Sequence, residues 1–247
     1  MNYLVSIITP SYNSIKFIEE TILSVLAQTY QDWEMIIVND VSTDGSEKLI
    51  EEYVKKDSRI KLIKLSKNSG AAKARNRAIK EATGRYIAFL DSDDTWLPNK
   101  LEKQVTLMQE HNLALTYSAY HTMDETSKYI NTRNVKDEIT YKDMLKSNHI
   151  GNLTGMYDVE FFGKVFMENV GHEDYVLWLS LLKKVGSTKG VTEPLANYRI
   201  LSNSLSSNKV KVLKWQWHIY RKVEKLNLFQ SSYYFMWYVF YALKKRS

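Results

Sequence analysis

The chain of 247 residues is 44% hydrophobic and carries 34 Lys and Arg against 28 Asp and Glu, a formal net charge of +6. That length and apolar content suit one or two packed domains, and only 9 Gly and 3 Pro leave no room for long linkers or low-complexity tracts. Cysteine is absent, which excludes a disulfide framework and thiolate metal sites and fits a reducing, cytoplasmic setting. The opening MNYLVSIITPSYN lacks a basic leader and its apolar run breaks at Thr9-Pro10, so no secretory signal is expected. No apolar run reaches the ~20 residues that a bilayer span needs.

In chain order, residues 3–8 read as a buried strand, and Ile15, Ile18, Ile22, Val25 and Leu26 then recur at helical spacing. A second strand (33–38) leads through a turn cluster into a helix carrying Leu49, Ile50, Tyr53 and Val54. A third strand (60–65), a helix (71–82) and a fourth strand (86–90) follow. A helix over 97–109 and a strand over 113–118 come next, whereas 120–155 is polar and shows no clear period. A helix from about 173 to 184, a strand within 192–199 and two basic-aromatic helices (about 207–224 and 229–244) complete the pattern. Such alternation implies an α/β fold, a Rossmann-like, mostly parallel sheet flanked by helices.

Ligands of such sheets bind beyond the carboxyl ends of the strands, so the residues that follow each strand carry the functional reading. The fourth strand runs straight into Asp91, Ser92, Asp93 and Asp94. Carboxylates are hard oxygen ligands suited to Mg²⁺ or Mn²⁺, ions that also take substrate phosphates. These acids could instead cap the following helix, with Pro98 in its first turn. Three acids in four positions at a strand end favour a site, and Asp94 is the one best read as a cap. Asp40, Ser42, Asp44 and Gly45 approach a calcium-loop pattern. A β-rich run precedes them where a helix is needed, and Glu47 stands where an apolar residue would pack; Asp44-Gly45-Ser46 reads as a turn.

Further on, Glu173-Asp174 open a helix in which Asp174 and Trp178 share a face four residues apart. A carboxylate there could take the proton of an attacking hydroxyl beside an aromatic sugar platform. Acids in a first helical turn also complement the helix dipole, which is the plainer reading of the pair alone. His172 could assist, although a loop histidine is more often structural.

LDSDDTW resembles the D-x-D-D motif of family 2 glycosyltransferases of GT-A fold. ITPSYNS is similar to their first strand and loop, IIVNDVSTDGS to their second, and GAAKARNRAI to their third motif. The four stand in the family's order; the resemblance covers about 3–115 closely and continues more loosely to about 205. It implies a metal-dependent, inverting transfer from a nucleotide sugar. Carried over residue by residue, it has Tyr12 flanking a uracil, Thr9 and Pro10 giving backbone contacts, and Asp40 accepting the uracil N3–H. Arg75, or else Lys73, would face the nucleotide, Asp91 with Ser92 the ribose, and Asp93 would bind Mn²⁺ or Mg²⁺. The family's E-D motif followed by Trp matches Glu173-Asp174 and Trp178, making Asp174 the base and the other two acceptor-side residues. A carboxylate at Asp40 suits uracil and not cytosine, which favours a UDP-sugar.

One departure stands out. Related enzymes read Tyr-Arg-x-His after the base helix, whereas this chain reads Tyr198-Arg199-Ile200-Leu201. Ser202, Ser204 or water would replace the missing ligand, or Arg199 alone would hold the diphosphate. The charge sign changes near 205, where the looser resemblance also ends, and this suggests an organisation: a catalytic unit over 1–205, with a nucleotide-binding half at about 1–115 and an acceptor half over 116–205, then an extension over 206–247.

That extension holds nine Lys and Arg against the single acid Glu224 over 208–247. Lys209, Lys211, Lys214, Arg221, Lys222 and Lys225 interleave with Trp215, Trp217 and Tyr220, and an apolar, aromatic run over 233–243 ends in Lys244-Lys245-Arg246. This composition suits a helix lying in a membrane interface, consistent with a polyprenyl-diphosphate-linked glycan acceptor and a peripheral position on the inner face of the plasma membrane. The alternative is packing onto the catalytic unit or a homodimer partner. Single-stranded nucleic acid has no supporting motif. The rival functions are a nucleotidyltransferase, disfavoured because 9–14 lack the glycines and bases of a triphosphate loop, and a catalytically inactive carbohydrate-binding module, disfavoured by intact Asp91, Asp93 and Asp174.

Overall fold

The computed structural model describes residues 3–201 and 209–244. Its first half is built from β1 (Val5–Ser11), α1 (Ile18–Leu26), β2 (Trp33–Asn39), α2 (Ser46–Lys56), β3 (Ile60–Lys64), α3 (Ala71–Glu81) and β4 (Tyr86–Phe89). These strands pair in parallel in the order β3-β2-β1-β4. Both faces of this sheet are covered, so its strands are apolar nearly throughout. Ile8, Ile36 and Val38 pack under α3, while the alternate residues Ile7, Met35 and Ile37 meet Ile18, Ile22 and Val25 of α1. The strand order reverses between β1 and β4, which creates a topological switch point at the carboxyl edge.

The second half is mixed. After β5 (Thr95–Trp96) and α4 (Lys100–Glu110) come β6 (Leu115–Met123), β7 (Tyr129–Arg133), β8 (Glu138–Thr140), α5 (Tyr141–Lys146) and β9 (Met156–Asp158). Then follow α6 (Val159–Phe162), α7 (Glu173–Val185) and β10 (Ser187–Arg199). β9 lies antiparallel between β4 and β6, and β10 runs parallel to β6, so the mostly parallel sheet expected is interrupted by antiparallel pairing from β9 onward. The polar stretch 120–155 proves to hold β7, β8, α5 and a 3₁₀ turn, Asn152–Thr154. Its strands are short and half exposed, which erases the apolar period.

The helix expected from residue 97 begins at Lys100, because Thr95 and Trp96 are drawn into pairing with Asn197 and Ala196 of β10. Two side chains from this region hold the 3₁₀ turn: Trp96 Nε1 donates to Leu153 O at 2.9 Å and Gln104 Nε2 to Thr154 O at 2.9 Å. Lys100, buried between them, donates to Gln104 Oε1 at 2.6 Å, and burial pushes its ammonium down to about 7.

The basic extension forms α8 (Lys209–His218), a π-helical turn (Ile219–Val223) and α9 (Leu228–Lys244). Its only acid ties it to the body: Glu224 accepts from the Tyr141 hydroxyl and from Lys183 Nζ at 3.0 Å. Tyr220 is fully buried and its hydroxyl donates to Leu145 O.

At the opposite edge of the sheet from the switch point, buried Glu34 joins three strands. It accepts from Ser6 Oγ at 2.6 Å, Thr83 N at 2.7 Å, Thr83 Oγ1 at 2.8 Å and Lys61 Nζ at 2.6 Å. Burial alone would raise its pKa, but Lys61 and the other donors prevail and hold the carboxyl at about 2. A depressed folded-state pKa stabilises the fold above the unfolded value of ~4.3 and loses that effect as pH falls through the folded one. The wild type should therefore exceed Glu34→Gln by about 2 kcal/mol near pH 7, after allowing for screening of Lys61. That margin should shrink from pH 5 towards pH 2 in denaturant titrations; a margin indifferent to pH would refute the network.

Candidate active site

Four loops meet at the switch point. The β1 and β2 loops are laced together: Asn13 N donates to Ser42 Oγ at 3.0 Å, Thr43 N to Asn13 Oδ1 at 2.9 Å, and Ile15 N to Asp44 Oδ2 at 2.9 Å. Asp44 also receives Ser46 N at 3.0 Å, so it is the turn-former expected and not a ligand. Val41 sits at φ +64°, a strained conformation for a β-branched residue. It adjoins Asp40, whose carboxylate accepts Ser69 N at 2.8 Å and Gly70 N at 2.7 Å and so anchors the start of α3. A hollow of about 440 Å³ opens here, lined by Pro10, Tyr12, Asp40, Gly70, Arg75, Asp91, Ser92 and Asp93 among others. Thr9 and Lys73 are not part of it: Thr9 is fully buried within β1, and Lys73 points to solvent from the exposed face of α3.

A second, larger hollow of about 600 Å³ shares Arg75, Asp91 and Asp93 with the first. Glu173 and Asp174 line it as well, so the two groups of acids, about eighty positions apart in sequence, face one cavity. Buried Arg75 joins them: its Nη2 lies 2.6 Å from Asp91 Oδ1 and its Nη1 3.5 Å from Glu173 Oε1. Burial and then the charge of Asp91 push Asp93 up to about 6. Burial raises Asp174 too, opposed by His172 and Arg75. A desolvated acid beside a second acid is a site short of positive charge. Among the described residues no group of three or more His, Asp or Glu is placed to hold a metal by itself. The carboxylate oxygens of Asp91 and Asp93, which line both hollows, are hard donors of the kind that Mg²⁺ or Mn²⁺ takes one or two of alongside water and phosphate.

Three expectations need correction. Asp94 is not a helix cap; fully within the protein, its Oδ1 accepts Arg199 N at 2.8 Å, and burial followed by Asp93 and Asp91 raises its pKa well above the usual range. Arg199 is not a free cation for a diphosphate. Its Nε donates to Asp93 O at 2.7 Å, its Nη1 to Ser127 Oγ at 2.9 Å and its Nη2 to Glu20 Oε2 at 2.5 Å, so it clamps the acidic loop onto β10 and α1. Trp178 is not a sugar platform. The face of α7 that carries it turns into the core, where its ring meets Phe89 edge-on at 5.5 Å and presses on Gly155, at which a Cβ would lie 2.4 Å away.

Other residues enter that sequence patterns did not reveal. Asn152 reaches Asp91 with its Nδ2 at 3.3 Å, yet it comes from a stretch with no readable period. Tyr120 and Tyr198, edge-on at 6.2 Å, line one side of the larger hollow, and Trp215 of α8 lines another. The aromatic residues of the basic extension were visible, but nothing local tied Trp215 to this cavity. Leu201 lines the hollow where the resemblance expects a histidine, and Ser202 and Ser204 lie outside the described residues.

Comparisons with known proteins identify the family. The family model described as "Glycosyl transferase family 2" matches residues 6–166. A Bacillus subtilis (strain 168) protein provisionally named a teichuronic acid biosynthesis glycosyltransferase (TuaG) is 46% identical over 248 residues, covering 98% of this chain and 97% of its own length. An Escherichia coli protein named "UDP-Glc:alpha-D-GlcNAc-diphosphoundecaprenol beta-1,3-glucosyltransferase WfgD" is 40% identical, covering 100% and 96%. Among solved structures, Staphylococcus aureus TarS (residues 1–349) in complex with UDP-GlcNAc superposes with a TM-score of 0.69 over 95% of this chain and 71% of that one, at 20% identity, a likeness of fold. With a mixed α/β sheet of GT-A type, a matching family model and relatives alike over nearly their whole length, the chain belongs to glycosyl transferase family 2.

Proposed function

We propose that the protein transfers a sugar, with inversion, from a UDP-sugar to a hydroxyl of a lipid-diphosphate-linked glycan in the assembly of a bacterial surface polysaccharide. The observation that carries this reading is the single hollow lined by both Asp93 and Asp174 and joined to the smaller one through Arg75 and Asp91. The donor class and acceptor class draw support from the E. coli relative, whose name gives UDP-Glc and GlcNAc-diphosphoundecaprenol.

In this reading the uracil lies in the smaller hollow against Tyr12 and Pro10. Each Asp40 oxygen accepts one backbone N–H and keeps a lone pair, so the carboxylate can also accept the uracil N3–H. Asp91, fixed by Arg75 and Asn152, faces the ribose with Ser92 beside it. Asp93 would hold Mn²⁺ or Mg²⁺, which when bound offsets the charge that builds on the departing diphosphate. Asp174 takes the proton of the acceptor hydroxyl as that oxygen bonds to the anomeric carbon from the face opposite the donor; the bond to UDP breaks and UDP leaves with its electron pair. Raised by burial, Asp174 is a stronger base than an exposed carboxylate. Glu173 lines the same hollow on the acceptor side and pairs with Arg75 at 3.5 Å, which helps to hold that arginine in place.

The setting is the inner face of the plasma membrane. Among the described residues no helix is long and apolar enough to cross a bilayer. Phe229, Met236, Phe240 and Leu243 instead leave an apolar face of α9 open, 54–88% exposed, on an extension rich in Lys and Arg. That combination suits a helix lying in the headgroup region.

Two substitutions test the chemistry. Asp93→Ala should abolish transfer and the metal-dependent part of UDP binding seen by calorimetry; a variant that still transfers sugar removes the ion from this position. Asp174→Asn should lower kcat by about 10²-fold or more, the usual contribution of a general base, while the Kd for the UDP-sugar stays unchanged. Normal turnover in Asp174→Asn would sink the base assignment.

A further inference from the structure

With Trp178 turned into the core, the acceptor side of the larger hollow needs another surface for a sugar. A pyranose has a rim of hydroxyls and a face of C–H groups. The carboxylates of the hollow suit the rim, since a carboxylate accepts O–H groups. The C–H face is apolar and calls for an apolar wall, best an aromatic ring that keeps some accessible surface. Trp178 is fully buried and cannot serve.

Trp215 of α8 meets that requirement. It lines the hollow together with Glu173 and Asp174, and it is only half-buried. Two contacts fix it beside the candidate base. Gly171 lies against the indole, where a Cβ would fall 2.5 Å from Cε2 and 2.6 Å from Cδ2, so a side chain there would displace the ring. His172 stands edge-on to the indole at 5.2 Å. Gly171 at φ +71° and His172 at φ +49° make this turn immediately ahead of Glu173 and Asp174. The next residue of each helix locks the register. Buried Gln216 donates its Nε2 to the Tyr175 hydroxyl at 3.3 Å, and that hydroxyl donates to Met144 O at 2.7 Å. Trp215 and Asp174, each one position before a member of this pair, are thus held at the same cavity.

We infer that Trp215 is the platform for the acceptor sugar: its indole takes the C–H face of the ring whose hydroxyl Asp174 deprotonates. The inference rests on the proposed transferase reading and deepens it. It makes α8 part of the acceptor site, a role distinct from that of the apolar face of α9.

The test uses the full chain, a UDP-sugar donor that the wild type binds, and soluble acceptor probes: the N-acetylglucosaminyl, N-acetylgalactosaminyl, glucosyl and galactosyl diphosphates of a short alkyl alcohol. Trp215→Leu keeps an apolar, helix-forming side chain against Gly171 but has no ring, whereas Trp215→Phe keeps a smaller ring. For the probe that the wild type uses best, Trp215→Leu should raise KM roughly tenfold, the effect of losing one aromatic contact. Trp215→Phe should raise it clearly less. Both variants should match the wild type in kcat and in Kd for the UDP-sugar. Equal KM values for the two variants overturn the inference, because bulk and not the aromatic ring then matters, and they leave the transferase reading intact. A fall in kcat with KM unchanged also overturns it, making Trp215 a support for the turn that positions Asp174. A wild type that binds the donor yet uses none of the probes removes the proposed acceptor class, and this inference with it.

Discussion

Five carboxylates share one hollow, and the protein keeps them there with two buried arginines. Like charges at such spacing repel strongly in a partly desolvated site. Arg75 offsets Asp91 and Glu173, and Arg199 reaches across from β10 to grip the acidic loop by its backbone and to meet Glu20. Burial, and after it the neighbouring carboxylates, still holds Asp93 up at about 6 and raises Asp94, and burial raises Asp174. Hard oxygen donors gathered in this way suit a divalent ion.

The fold determines where that tension falls. Reversal of strand order between β1 and β4 opens the crevice, and the antiparallel insertion of β9 carries β6 and β10 far enough to build its second wall. Backbone strain gathers at the same edge: Val41 beside Asp40 and His172 beside Asp174 both hold positive φ. The other end of the sheet is knitted by Glu34 and its four short hydrogen bonds. A rigid base and a strained rim are what a scaffold needs to hold reactive groups in set positions.

The basic extension belongs to this design. Glu224, its only acid, docks it on Tyr141 and Lys183, and that docking delivers Trp215 to the hollow. The same segment therefore has two faces of different character, one built into the wall of the site and one apolar and open to the surroundings.

How much of this was legible depended on whether the signal was local. Each parallel strand and the loop after it announced themselves, because apolar runs of strand length and turn-forming polar residues are written within a few positions. The acidic loop and the Glu173-Asp174 pair could be named on that basis, whereas Asp40 and Arg75 took their roles from the family resemblance. The partners of those residues could not. Helical spacing placed Trp178 beside Asp174, but which way α7 turns depends on Phe89 and Gly155, distant in sequence. Arg199 stood beside a motif that suggested phosphate, and only the approach of β10 to the acidic loop showed its guanidinium already engaged. Asn152, Tyr120 and Trp215 come from segments without period or from the far end of the chain. Sequence alone thus determined the elements and the kinds of chemistry available, since both follow from residues near one another along the chain; which side chains share a cavity was decided by tertiary packing, since that depends on long-range contacts that no local pattern encodes.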